Sequence, residues 1–260
     1  MKLTYTVADL AYSATSIAEF LAMSKTLQGS TFSDMSQAIF ALYPSIEEGE
    51  IRLLAQTEIQ EYCVNRLRFI YRENKPEFDS KMTTYQKIWD QHSKIIEDAL
   101  GDIFQVDTCS QFNSMKARIT LCPICPRFLN ESIFDLFYQY SAEGSLYVAM
   151  HEIMHFVWFT VWNRLFHDSP DLYEQPHLPW IFSELAIDAI MMDQRLHGLI
   201  FNEHQAQYPA YPEFYDIYTD KGPLVHVFRK MYGLLSISDF MAEGYTFLKE
   251  NASLFAPFFG

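Results

Sequence analysis

His151, Glu152 and His155 stand in the order H-E-x-x-H. On a helix, residues four apart project from the same face one turn above another, so the two imidazoles point together. Two imidazoles placed this way can bind one Zn²⁺ at about 2.0–2.1 Å each. Glu152 lies about 100° round the helix from His151, placed to hold a metal-bound water without being a ligand itself. The surrounding run, 147–159 (YVAMHEIMHFVWF), is almost wholly apolar. A helix apolar on every side belongs in a protein interior, where unpaired imidazoles and carboxylates are costly.

A catalytic zinc needs a third protein ligand and one open position. A third His six residues after His155 would give the metzincin arrangement, but that position is Val161, and position 158 is Trp158. Other candidates are His167, Asp168 and His177 in the following loop, and Glu184 and Asp188 in the apolar run 181–192. Glu184 and Asp188 share a helix face at i, i+4, and two carboxylates in apolar surroundings invite a common partner. With Glu184 on the metal, Asp188 can accept the free N–H of a ligand imidazole. A water on such a zinc has a pKa near 7, and Glu152 can take its proton and pass it to a leaving amine. The oxyanion that develops needs a donor from downstream, where His204, Tyr208, Tyr211, Tyr215, Tyr218 and His226 cluster. Tyr215 and His226 are the two candidates carried forward.

H-E-x-x-H followed on a second helix by E-x-x-x-D resembles the gluzincins, the thermolysin-like zinc metallopeptidases, over roughly residues 146–192. The resemblance implies His151, His155 and Glu184 as zinc ligands, Glu152 as general base and Asp188 as support for a ligand His. It also implies an extended peptide or protein substrate pairing with an edge strand just upstream, at 116–123. The first hundred residues show no such likeness, and neither a thermolysin-type propeptide nor its C-terminal domain is recognisable.

Composition narrows the partners. A formal net charge of −14 argues against nucleic acid, because phosphate binding needs clustered Lys and Arg. Polar residues break up the apolar N-terminus, and His, Glu and Arg164 interrupt the apolar run at the motif. Neither a signal peptide nor a membrane span is therefore expected. Four cysteines in 260 residues do not make a disulfide framework, so a reduced, cytoplasmic protein is expected. Cys122-Pro123-Ile124-Cys125 lacks the second pair of a zinc ribbon and the helix that follows a thioredoxin-type motif, and is read as two ordinary thiols. Two rivals to a peptidase remain, namely a zinc-stabilised binding or regulatory protein with a vestigial site and a redox protein using Cys122 and Cys125.

The elements that must position these residues can be placed from periodicity. Residues 1–7 suggest a strand, and helices follow from Leu10 to Gly29, over 33–42 with Ser33 as cap, over 47–74 and over 79–100 with Gly101 as stop. Residues 115–125 read as a strand whose second half lies on an edge or leaves the sheet, because Pro123 and Pro126 cannot donate. Residues 130–140 read as a short helix, and Ser145 as the cap of a motif helix ending near Phe166. A loop to Pro179 precedes a helix over 180–196. Further helices are expected at 223–232 and 236–251, the last capped by Ser238, with Phe255, Phe258 and Phe259 docked beyond. The fold class is α+β and predominantly helical. A helical scaffold (1–100) is expected to precede a zincin-like catalytic region (101–260) with a small edge-stranded sheet.

Overall fold

Short apolar or alternating runs form the strands, and longer runs with apolar residues three and four apart form the helices. The computed structural model describes residues 1–26, 32–199 and 211–258. Its strands are β1 (Leu3–Val7), β2 (Met115–Thr120), β3 (Arg127–Phe128), β4 (Ile133–Phe137), β5 (Tyr218–Thr219) and β6 (Gly222–Pro223). The helices α1 to α6 are Leu10–Thr26, Phe32–Leu42, Glu48–Leu53, Gln56–Glu73, Lys75–Phe104 and Thr108–Gln111. Helices α7 to α11 are Ala142–Phe166, Leu178–Met191, Gln194–His197, Leu224–Leu234 and Ile237–Glu250. A predominantly helical α+β chain is what the sequence leads one to expect. No helix among the described residues is long and apolar enough to cross a membrane. Leu27, Gly29, His204, Tyr208 and Phe259, and the side chains of Ser33 and Phe258, lie outside the described residues.

The chain forms two compact units, one of Lys2–Gln91 with Ser114–Leu146, the other of Met1, His92–Asn113 and Tyr147–Gly260. The boundary thus differs from a division at residue 100, because the strands after 114 complete the first unit. There the sheet order is β1-β2-β4-β3, with β1, β2 and β4 parallel and β3 antiparallel to β4. This corrects the edge-strand expectation. Residues 116–120 are paired with β1 on one side and β4 on the other, and so offer no free edge to a peptide. The edges are β1 and β3, and Gln86 occupies part of the β1 edge. Gln86 Oε1 accepts from Tyr5 N at 3.1 Å and Gln86 Nε2 donates to Leu3 O at 3.1 Å, as a neighbouring strand would.

Residues 130–140 are not a helix. A 3-10 turn at Leu129–Glu131 leads into β4. Ile133, Phe134 and Phe137 fit a helical face, but 134–137 are all buried, as in a parallel strand covered on both sides. Asp135 is tolerated there because Arg118, its register partner on β2, donates to it at 2.8 Å and Tyr12 Oη at 2.8 Å. The expected 47–74 helix breaks at Leu54 and Ala55, both extended, and Glu58 Oε2 accepts from Ala55 N at 2.7 Å to cap the second piece. Pro76 sits in the first turn of α5, and that helix runs through Gly101 to Phe104.

In the second unit α7, α8, α10 and α11 enclose an aromatic core of Trp158, Trp162, Phe182, Phe228 and Phe240. Gly244 on α11 permits close approach to α8, since a Cβ there would lie 2.5 Å from Phe182 Cζ. Helix α8 ends at Met191, short of residue 196, and its Pro179 falls in the first turn as expected. Ser236, rather than Ser238, caps α11 by accepting from Asp239 N at 3.2 Å. Phe255 is fully buried and docks edge-on against Phe214.

Candidate metal centre

Helix α7 carries the H-E-x-x-H residues and α8 carries Glu184. Ser141 Oγ accepts from Gly144 N at 2.9 Å at the start of α7, whereas the hydroxyl of Ser145 donates back to Ala142 O. The capping role expected of Ser145 therefore belongs to Ser141. His155 and Glu184 are buried and His151 nearly so. The three converge: His151 Nε2 and His155 Nε2 are 3.1 Å apart, His151 Nε2 lies 3.3 Å from Glu184 Oε2, and His155 Nε2 lies 3.3 Å from Glu184 Oε1.

That spacing can be tested against a metal. Four ligands at 2.0–2.1 Å on tetrahedral corners are separated by about 3.3–3.4 Å. The observed separations of 3.1, 3.3 and 3.3 Å are of that order, with Glu184 turning one carboxylate oxygen toward each imidazole. Two imidazole nitrogens and one carboxylate oxygen also form a donor set that suits a transition metal better than the all-oxygen shells of Ca²⁺ or Mg²⁺. His151, His155 and Glu184 could therefore hold a metal ion, and among the described residues no other such cluster is found. His167, Asp168 and His177 are not part of it, and Asp168 instead accepts from Trp162 Nε1 at 3.1 Å.

The rings around His155 fix its plane. Phe159 stacks on it at 6.2 Å with 14° between planes, and Tyr173 stacks on Phe159 at 4.3 Å. Glu152 is buried on α7. A cavity of about 20 Å³ adjoins His151 and Glu184, and Asp188, Tyr147, Tyr211, Phe214, Tyr215 and Val225 are among the other residues lining it. Glu152 is not among them. That volume holds roughly one water.

Asp188 does not meet the role expected of it. Its carboxylate accepts from Tyr215 Oη at 2.6 Å, Arg229 Nε at 2.9 Å and Arg229 Nη2 at 3.2 Å rather than from an imidazole. Arg229 Nη2 also donates to Tyr215 Oη at 2.7 Å, closing a three-member network. Burial, then the bond to Asp188, pushes the Tyr215 phenol above its ordinary range, so Tyr215 stays a donor at neutral pH. Burial opposes the Arg229 charge, but the contacts with Asp188 and Tyr215 outweigh it and raise its pKa. Of the two oxyanion candidates, Tyr215 lines the cavity. His226 is exposed on α10 and absent from the lining, and its neighbour Val225 faces the site instead.

Arg229 escapes a motif search because it lies 41 residues beyond Asp188. One signal exists, since Arg229 stands a single turn after the buried Val225, on the inward flank of an amphipathic helix. At the other sequence feature of interest, burial raises the pKa of the Cys122 thiol far above neutrality, which suppresses the thiolate that redox exchange requires. Scans of protein-family profiles, curated proteins and solved structures returned no significant match.

Proposed function

We propose that this chain is a zinc-dependent hydrolase, a gluzincin-like metallopeptidase with His151, His155 and Glu184 as the ligands. The observation that carries the reading is the buried cluster in which His151 Nε2 and His155 Nε2 lie 3.1 Å apart, each with a Glu184 carboxylate oxygen at 3.3 Å. Zn²⁺ in a two-His, one-carboxylate set supplies a Lewis acid and lowers the pKa of water at its open position. The remaining chemistry belongs to the chain. Glu152 is the general base, taking a proton on a carboxylate oxygen and delivering it to the leaving amine. Tyr215 is the candidate oxyanion donor, a role that requires its single hydroxyl proton, given to Asp188 in this structure, to be turned toward the substrate. A cytoplasmic peptide or protein is the substrate class that accords with this chemistry and with the acidic composition.

A second reading is favoured by the 20 Å³ cavity, which leaves no room for a peptide. On that reading the chain is a zinc-stabilised binding or regulatory protein with a blocked, vestigial site. Glu152→Gln separates the two. The enzyme reading requires that zinc be retained and cleavage of a diverse peptide library be lost; a zinc-loaded parent that cleaves none of the library supports the second.

A further inference from the structure

Tyr147 stands one turn before His151 on α7. Side chains on a helix lean toward its N-terminus, so the His151 ring lies over the turn that carries Tyr147. Both line the cavity of about 20 Å³ together with Glu184 of α8, and two other phenols, Tyr211 and Tyr215, line it as well. Tyr215 gives its only hydroxyl proton to Asp188, so it has none left for the cavity. Tyr211 is seated edge-on against Trp180 at 5.1 Å. The Tyr147 hydroxyl, by contrast, makes no hydrogen bond among the described residues. Burial, and then the charge of Asp188, hold its pKa above the ordinary phenol value, so it keeps its proton at neutral pH. The hydroxyl feels Asp188 and acts in turn on Tyr215, both of them walls of the cavity, which sets the polar end of Tyr147 on that side.

From this arrangement we infer that Tyr147 is the hydroxyl donor of the site, donating a hydrogen bond to an anionic oxygen held in the cavity beside His151 and Glu184. The inference rests on the proposed hydrolase reading, in which that oxygen is a substrate carbonyl oxygen as it gains charge. It moves the donor's role from Tyr215 to a residue on the motif helix itself. A donor already aimed and without a protein partner needs no rearrangement when charge develops. Tyr215 would first have to break from Asp188, leaving that carboxylate to Arg229 alone. The cavity holds roughly one water, so the acceptor that meets Tyr147 there is a single atom, as a carbonyl oxygen is. Tyr215, Asp188 and Arg229 then form a fixed polar wall beside it.

Fluoride tests this, because it is about the size of a water and accepts hydrogen bonds strongly. Cobalt(II) serves as reporter, since it suits the same ligands as zinc and its visible absorption shifts when an anion binds beside it. The cobalt-loaded parent binds fluoride, and Tyr147→Phe takes up cobalt equally but binds fluoride about tenfold more weakly. Chloride, a much poorer acceptor, is bound alike by both. Tyr215→Phe changes the fluoride affinity less, because its proton is engaged by Asp188. A metal-free arm checks the hydroxyl itself. Tyr147→Phe leaves the urea midpoint unchanged, whereas Tyr215→Phe lowers it by breaking bonds to Asp188 and Arg229. The inference is overturned if the cobalt-loaded parent binds no fluoride, or if Tyr147→Phe binds it as tightly as the parent, and the metal site survives either result. A Tyr147→Phe protein that unfolds or is destabilised without metal also overturns it, since the hydroxyl would then serve the fold. A parent that takes up no cobalt removes the metal site, and the inference with it.

Discussion

Gly244→Ala places a methyl group where α11 crosses α8, two residues before Glu184 in the chain register of α8. The new Cβ would sit 2.5 Å from Phe182 Cζ, 3.0 Å from Phe182 Cε2 and 3.3 Å from Phe228 Cε1. Carbon atoms rest at about 3.5–4.0 Å, so the closest contact overlaps by about 1.0–1.5 Å. Phe182 cannot easily yield, because Trp158, Trp162, Phe228, Phe240 and Tyr245 all pack against its ring. Overpacking of this kind costs about 1–3 kcal/mol, while replacing Gly by Ala in a helix returns about 1 kcal/mol. A net loss of up to about 2 kcal/mol follows from those two terms. Urea denaturation should show it as a lowered midpoint with an unchanged slope. Gly233 on α10 is the control, because nothing lies within 4 Å of its added Cβ. Gly233→Ala should raise stability by about 0.5–1 kcal/mol. If Gly244→Ala stabilised the chain as Gly233→Ala does, the close packing of α11 on α8 would be refuted.

Zinc added at about a hundred times its dissociation constant should stabilise the chain by about 2.7 kcal/mol in thermal or chemical unfolding, and His155→Ala should abolish most of that shift. Asp193 accepts from Arg195 at 2.7 and 2.8 Å and from Tyr232 at 2.6 Å, and the Arg195 bonds above all hold its carboxyl well below the usual range. A carboxylate with a depressed folded pKa contributes stability above its unfolded pKa of about 3.9 and loses it as pH falls through the folded value. Asp193→Asn should therefore cost about 1 kcal/mol at pH 7, a deficit that shrinks on acidification below about pH 3.9 and is checked by denaturant titration at several pH values. Gln86→Ala uncovers the β1 edge. It should cost about 1 kcal/mol and promote self-association detectable by light scattering; a monodisperse variant at high concentration argues against a protective role for Gln86.

The His151–His155–Glu184 cluster was legible because its members stand out in otherwise apolar runs. His151 and His155 are tied by one helical turn, and Glu184 and Asp188 stood out as carboxylates in an apolar run, so burial and spacing alone drew attention to them. The strand β4 was not legible, because Ile133, Phe134 and Phe137 fit a helical face as well as a strand. Pairing with β2 across 17 residues decides the matter, with Arg118 neutralising Asp135. The same non-local pairing turned 116–120 from an imagined edge into a central strand. The partners of Asp188 were likewise invisible, since the apposition of Tyr215 and Arg229 depends on how α10 returns to α8. The stretch 211–215 stood out only as Tyr-rich, without any indication that Tyr211, Phe214 and Tyr215 line the cavity beside His151.

A metal centre formed by His151, His155 and Glu184 and served by Glu152 is decided by metal content measured alongside peptide cleavage in the parent, Glu152→Gln and His151→Ala proteins. The parent should hold one zinc per chain after reconstitution, Glu152→Gln should retain zinc but lose cleavage by about 10²-fold or more, and His151→Ala should lose zinc. A parent that takes up no zinc, or a His151→Ala protein with undiminished zinc content, would contradict it.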